Sequence, residues 1–170
     1  MNQHLERLTG LHPMLRDVVR QMITQCDERL RRTLMAVRGF SSVQDQAATH
    51  QKGRTFDREQ ETWIVTDAKQ VVTNSVPGSS AHNVITLTGQ PASMAVDVIP
   101  LFNDGTPDWS PGQKFWEDLY RIAWKLGLDP LGDPLGAYLP YDKGHFEEPA
   151  WRLKLEGLNT MLPKGFASLV

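Results

Sequence analysis

A chain of 170 residues, 40% of them hydrophobic, is long enough to bury roughly two-thirds of its unfolded surface around one core and needs no disulfide staples. With 18 basic residues against 20 acidic ones the net charge is −2, which excludes the strong positive field of a nucleic-acid or anionic-membrane binder. One cysteine excludes both an internal disulfide and dithiol redox chemistry.

The opening stretch, MNQHLERLTGLHPML, carries charges and lacks the apolar core of a signal peptide, and no later run approaches the ~20 apolar residues of a membrane span. Synthesis in the cytoplasm without membrane insertion is expected. His4 and His12 read as exposed or helix-start residues. Leu11, Leu15, Val18, Val19, Met22, Ile23, Cys26 and Leu30 recur at helical spacing, with Pro13 near the start where its missing donor costs nothing. Cys26 lies in that apolar stripe as a buried, inert thiol.

A strand over 33–40 closed by Gly39 follows, then a polar helix over 42–53 ending at Gly53, with His50 on its surface. Residues 54–70 are charged and aperiodic and read as a solvated loop or short hairpin pinned by Trp63 and Ile64. Residues 71–80 read as a short β segment ending in a Pro-Gly turn. NVITL and SMAVDVIPL flank TGQP as the arms of a hairpin, whose pairing would bring positions 82 and 97 together.

Residues 111–128 predict a helix with Phe115, Leu119, Ile122, Ala123 and Leu126 on one face and Gly127 as its stop. A Gly/Pro-rich loop then leads to a short strand at His145-Phe146-Glu147 and a C-terminal segment. The expectation is one α+β domain over 1–170, a small antiparallel sheet with helices packed on it.

A hydrolytic zinc ion takes three ligands from His and carboxylate side chains, with one position open for water and a nearby acid/base group. His82 follows a turn. Asp97 sits inside an apolar run, where burial of a carboxylate is costly unless something pairs with it. Asp142 precedes His145 by three residues, within reach of a proton-transfer role if His145 binds metal. Spacing alone leaves a metal site and a capped loop with a satisfied core histidine as equal alternatives.

Ser80-Ala81-His82 and Ala95-Val96-Asp97 resemble the Ser-x-His and Ala-x-Asp signature of the M15 family of zinc peptidases, which cleave peptidoglycan stem peptides. Asp142-Lys143-Gly144-His145-Phe146-Glu147 is similar to that family's second signature. GFSSVQDQAATHQKGRT is similar to its upstream Gly-aromatic-Arg-Ser, Gln and Gly-Arg-Thr stretch, and VVTNSVPGSSAHN matches the segment leading into the first histidine. These segments span most of residues 11–147 in the family's order.

The resemblance implies His82, Asp97 and His145 as Zn2+ ligands in a cleft at the sheet, and Asp142 as catalytic acid/base. It implies Ser41, Gln46, Ser80, Arg38 and Arg54 as substrate-side residues. Two departures stand out. The 14 residues between His82 and Asp97 are about twice the family's gap, and Ser41 stands where the family has an arginine that stabilises negative charge. Loss of such a group typically costs ~10²–10³ in rate. Arg38 is an imperfect stand-in, because in a continuing strand 38 and 41 point to opposite faces, and Arg54 is another candidate.

The function implied is an L-alanyl-D-glutamate endopeptidase, a monomer acting as a phage endolysin on periplasmic peptidoglycan after release from the host cytoplasm. A D-alanyl-D-alanine carboxypeptidase and a non-catalytic, zinc-containing peptidoglycan-binding module silenced at Ser41 are the alternatives.

Overall fold

A computed structural model describes residues 7–73, 75–130 and 143–163; His4 and the expected acid/base Asp142 lie outside the described residues. Helix α1 (Pro13–Leu30) starts where His12 caps it, its Nδ1 accepting from the Met14 amide at 3.3 Å. The helix buries Leu15, Val19, Met22 and Cys26 at helical spacing and ends at Arg31 in the left-handed conformation. Strand β1 (Leu34–Arg38) stops before Gly39, where an added Cβ would lie 2.6 Å from the Arg7 carbonyl oxygen, so only glycine fits.

Helix α2 (Val43–His50) begins with a capping box between Ser42 and Asp45 and ends three residues before Gly53, whose φ of 71° turns the chain into the next strand. Strands β2 (Arg54–Asp57) and β3 (Thr62–Val65) form the hairpin alternative for 54–70. Trp63 meets Phe56 edge-on at 5.4 Å and His50 at 6.4 Å. Ile64, expected to help pin this hairpin, is instead exposed, because alternation along the strand turns it away from the face that Trp63 occupies.

The described residues of 71–80 form no strand, contrary to expectation. Their carbonyls are taken by side chains instead: Gln46 Nε2 donates to Ser75 O at 3.2 Å and an Arg54 guanidinium nitrogen to Thr73 O at 2.9 Å.

A 3₁₀ turn at Ala81–Asn83 leads to β4 (Ile85–Thr86) and β5 (Ala95–Pro100). The chain folds back between them, with Met94 N donating to Ala81 O at 2.9 Å and Ala92 N to Val84 O at 3.0 Å. The two arms do not pair as strands, however. β5 is the inner strand between β1 and β7 (His145–Glu147), while β4 pairs with β8 (Thr160–Met161). A nearly continuous apolar run suits an inner strand covered on both faces better than a hairpin arm.

Helix α3 (Gln113–Lys125) buries Trp116, Leu119, Tyr120, Ile122 and Ala123, and Gly127 at φ 83° turns the chain toward β6 (Asp129–Pro130). A short helix α4 (Trp151–Lys154) precedes β8. The main sheet runs β1-β5-β7-β6, antiparallel throughout. Ala36, Val96, Val98 and Phe146 pack with α1 and α3 into one core cluster. Alternation along β5 and β7 therefore sends Asp97, His145 and Glu147 to the other face. No helix among the described residues is long and apolar enough to cross a membrane.

Cys26 is fully buried, and burial, reinforced by Asp27, pushes its thiol up to about 12. Native chain is therefore expected to resist iodoacetamide near neutral pH, with stoichiometric alkylation only after denaturation. Because the folded thiol stays neutral while the unfolded one ionises, this group lowers stability only as pH rises past the ordinary cysteine value.

Candidate metal centre

His82 sits on the 3₁₀ turn, capped by the Ser80 hydroxyl and tied by its carbonyl to the Ser41 amide at 2.9 Å. Its Nδ1 lies 2.6 Å from the Gly39 carbonyl oxygen. A carbonyl only accepts, so Nδ1 carries the proton and Nε2 presents a lone pair. That Nε2 is 3.2 Å from Asp97 Oδ1.

Asp97 on β5 and His145 on β7 are cross-strand partners. His145 Nδ1 lies 2.9 Å from Asp97 Oδ1 and 3.3 Å from His82 Nε2. The other nitrogen of His145, Nε2, is 3.2 Å from Glu147 Oε2, which assigns the ring proton to that side. Gly39 and Glu147 thus set tautomers that leave two imidazole lone pairs and a carboxylate oxygen facing one another.

Such a cluster is repulsive without a cation at its centre and fits a divalent metal well. Tetrahedral zinc with bonds of about 2.0–2.1 Å places its ligand atoms about 3.3 Å apart, close to the 2.9–3.3 Å found here. It is the one such group of three or more potential ligands among the described residues. When the imidazoles carry protons in place of the ion, burial still pushes the Asp97 carboxyl upward, but the attraction of His82 and the hydrogen bonds from His145 and His82 override it and hold it well below the usual carboxylate range.

Glu147, given no role from the sequence, holds the outward nitrogen of His145 in the manner of carboxylate–histidine–metal chains. Glu147→Ala is expected to weaken zinc binding about 10–100-fold, measured by competition with a chromophoric chelator. Glu147→Gln, whose amide oxygen still accepts, should retain most of the affinity.

The expected separation of Arg38 from Ser41 does not hold. The β1–β5 register slips between Ala36 and Arg38, setting Arg38 opposite Asp97. This bulge at Val37 turns Arg38 onto the face that carries Asp97 and His145, where regular alternation would have put it on the core side. The strand ends at Arg38, so alternation no longer governs position 41. Arg38 Nε donates to the Ser41 hydroxyl at 2.7 Å, and a terminal nitrogen donates to Gln46 Oε1 at 2.5 Å. Ser41 and Gln46, both buried, act as struts for this guanidinium.

A polar cleft of 300 Å³ opens over the cluster, lined in part by Arg38, Gln46, Ser80, Trp151 and Arg152. Arg54 is not among the described residues of its wall. It braces the 71–80 segment instead, donating to His50 O at 2.7 Å and Thr73 O at 2.9 Å. His50 is buried rather than on the helix surface, because the β2–β3 hairpin folds over it. Trp151 and Arg152 were not anticipated, since the C-terminal segment shows no periodic pattern.

No protein-family model and no curated sequence matches the chain. Its fold does match solved structures. With the L-Ala D-Glu endopeptidase ChiX of Serratia marcescens the TM-score is 0.51 at 16% identity, covering 88% of this chain and 89% of that one. With the vancomycin resistance D,D-pentapeptidase VanY from a VanB-type resistance cassette, in complex with Zn(II), the values are 0.51 and 12%, covering 87% and 78%. With the LD-carboxypeptidase LdcB they are 0.50 and 17%, covering 86% and 64%. The chain has the α+β fold of these peptidoglycan peptidases.

Proposed function

We propose that this chain is a zinc-dependent peptidoglycan peptidase that hydrolyses stem peptides. The observation that carries the reading is the convergence of His82 Nε2, Asp97 Oδ1 and His145 Nδ1 with both histidine tautomers set from outside. Zinc held there would supply Lewis acidity and lower the pKa of water at its open position toward neutrality.

The chain's own residues supply the rest. Arg38, braced by Ser41 and Gln46, presents positive charge on the Asp97 face of the sheet, suited to the negative charge that develops on an attacked carbonyl oxygen. Asp142 is assigned the transfer of a proton from water to the leaving amine.

Within this class we favour the bond between L-Ala and D-Glu and a role in bacteriolysis as a phage endolysin, made in the host cytoplasm and acting as a monomer on periplasmic peptidoglycan. The likeness to ChiX supports the bond. Comparable likeness to VanY and LdcB supports a carboxypeptidase as the second reading.

The test is turbidity of outer-membrane-stripped Gram-negative cells, followed by mass spectrometry of the released muropeptides. Clearing by the wild-type chain that is lost on zinc chelation and in Asp142→Asn supports the peptidase. Fragments cut after L-Ala support the endopeptidase, whereas free D-alanine supports the carboxypeptidase. A chain that binds zinc but releases nothing would be the non-catalytic binding module.

A further inference from the structure

The cleft wall holds a second guanidinium, Arg152, in addition to Arg38. Arg152 enters from α4, which starts at Ala150 in the left-handed conformation. Its neighbour Trp151 is buried against Ala81, Met94 and Ala95, so the start of the helix is anchored to the segments that carry His82 and Asp97. The Arg152 guanidinium carbon lies 4.5 Å from the centre of the Trp151 ring, and one terminal nitrogen donates to the Ser79 carbonyl at 2.5 Å. An indole beneath and a carbonyl at one edge therefore restrain this long side chain.

Three of the other arginines are ion-paired. Arg20, Arg32 and Arg121 each have a carboxylate partner, respectively Asp17, Asp108 and Asp118. Arg152 has no carboxylate within ion-pair distance among the described residues. It is a restrained cation, with most of its five donors uncommitted among the described residues, in the wall of the cleft that opens over His82, Asp97 and His145.

We infer that Arg152 recognises a free carboxylate of the substrate peptide, and so sets specificity beyond the scissile bond. The inference deepens the peptidase reading and rests on it for the identity of the ligand. A stem tripeptide that ends in lysine offers two such groups: the α-carboxylate of a γ-linked D-Glu and the C-terminal carboxylate. Both present the planar pair of oxygens that a guanidinium fork binds.

The test is calorimetric titration of the zinc-loaded full chain with a stem tripeptide whose scissile amide is replaced by a methyleneamine, so that it binds without being cut. Two further peptides carry an amide in place of the D-Glu α-carboxylate or the C-terminal carboxylate. Wild-type chain is expected to prefer the free peptide over one of the two amides by about 10–100-fold, as for a hydrogen-bonded charge pair, and the disfavoured amide identifies the source. Arg152→Gln should bring that ratio close to one, and Arg152→Lys should keep part of it.

Wild-type chain that binds none of the peptides, or shows no preference, overturns the inference, as does a preference that survives in Arg152→Gln. Cleavage of the unmodified peptide is read separately. A preserved binding ratio without cleavage sinks the endopeptidase reading and leaves the carboxylate site standing, whereas cleavage without the ratio does the reverse. Zinc stoichiometry and thermal melts of both variants show whether any loss comes from misfolding.

Discussion

Asp97→Ala is expected to weaken zinc binding by roughly 10²–10⁴-fold and to abolish peptide hydrolysis at ordinary zinc concentrations. The carboxylate would supply the negative charge of the candidate three-ligand set and lies within 3.2 Å of the facing nitrogens of both histidines. Removing one partner of a buried charged arrangement costs about 3–5 kcal/mol, which corresponds to that range of affinity. Chelator competition measures the first effect and peptide cleavage the second. A variant that still holds one zinc with wild-type affinity would show that the ion binds elsewhere.

The pH dependence has a definite sign. In the metal-free chain the Asp97 carboxyl is held well below its ordinary range, so its contribution to stability is complete above the unfolded carboxylate value and is lost as pH falls through the depressed one. With zinc, affinity should decline on acidification, because His82 and His145 bind metal only when neutral.

Arg38→Ala is expected to lower kcat by about 10²–10³-fold, the usual cost of losing one group that stabilises an oxyanion. Zinc affinity should change little, because Arg38 touches none of the three ligating atoms in the described contacts. Arg38→Lys should recover only part of the rate, since an ammonium cannot hold Ser41 and Gln46 through two separate nitrogens as the guanidinium does. Single-turnover cleavage of a defined muropeptide separates the chemical step from product release. If kcat stays at the wild-type level in Arg38→Ala, the cation that faces the oxyanion lies elsewhere in the cleft.

These two substitutions also address the serine at position 41. A serine there reads as the loss of a functional group when position 41 is considered alone. In the folded chain the Ser41 hydroxyl accepts from Arg38 Nε, so the position serves a guanidinium that arrives from three residues earlier. One β-bulge moves the charge onto the site face.

Local pattern was enough for α1, β1 and α3. Their apolar spacing, with Pro13 at one helix start and Gly127 after the end of another, expresses backbone and burial preferences that act over a few residues. The candidate ligands were legible for a similar reason. A carboxylate within the buried run of β5 calls for a partner, and the signatures around His82 and His145 resemble a known ordered set.

The chain's residue order by itself determined the α+β class, the core stripes of the helices and the candidacy of His82, Asp97 and His145. Only the tertiary structure decided that β5 runs between β1 and β7, that Arg38 shares a face with Asp97, that Glu147 and the Gly39 carbonyl set the histidine tautomers, and that Arg152 reaches the cleft. The physical reason is range. Periodicity and capping are settled by neighbours within one or two turns, whereas strand order, a register slip and the hydrogen bonds to a ring nitrogen depend on segments far apart in the chain, whose meeting leaves no local pattern.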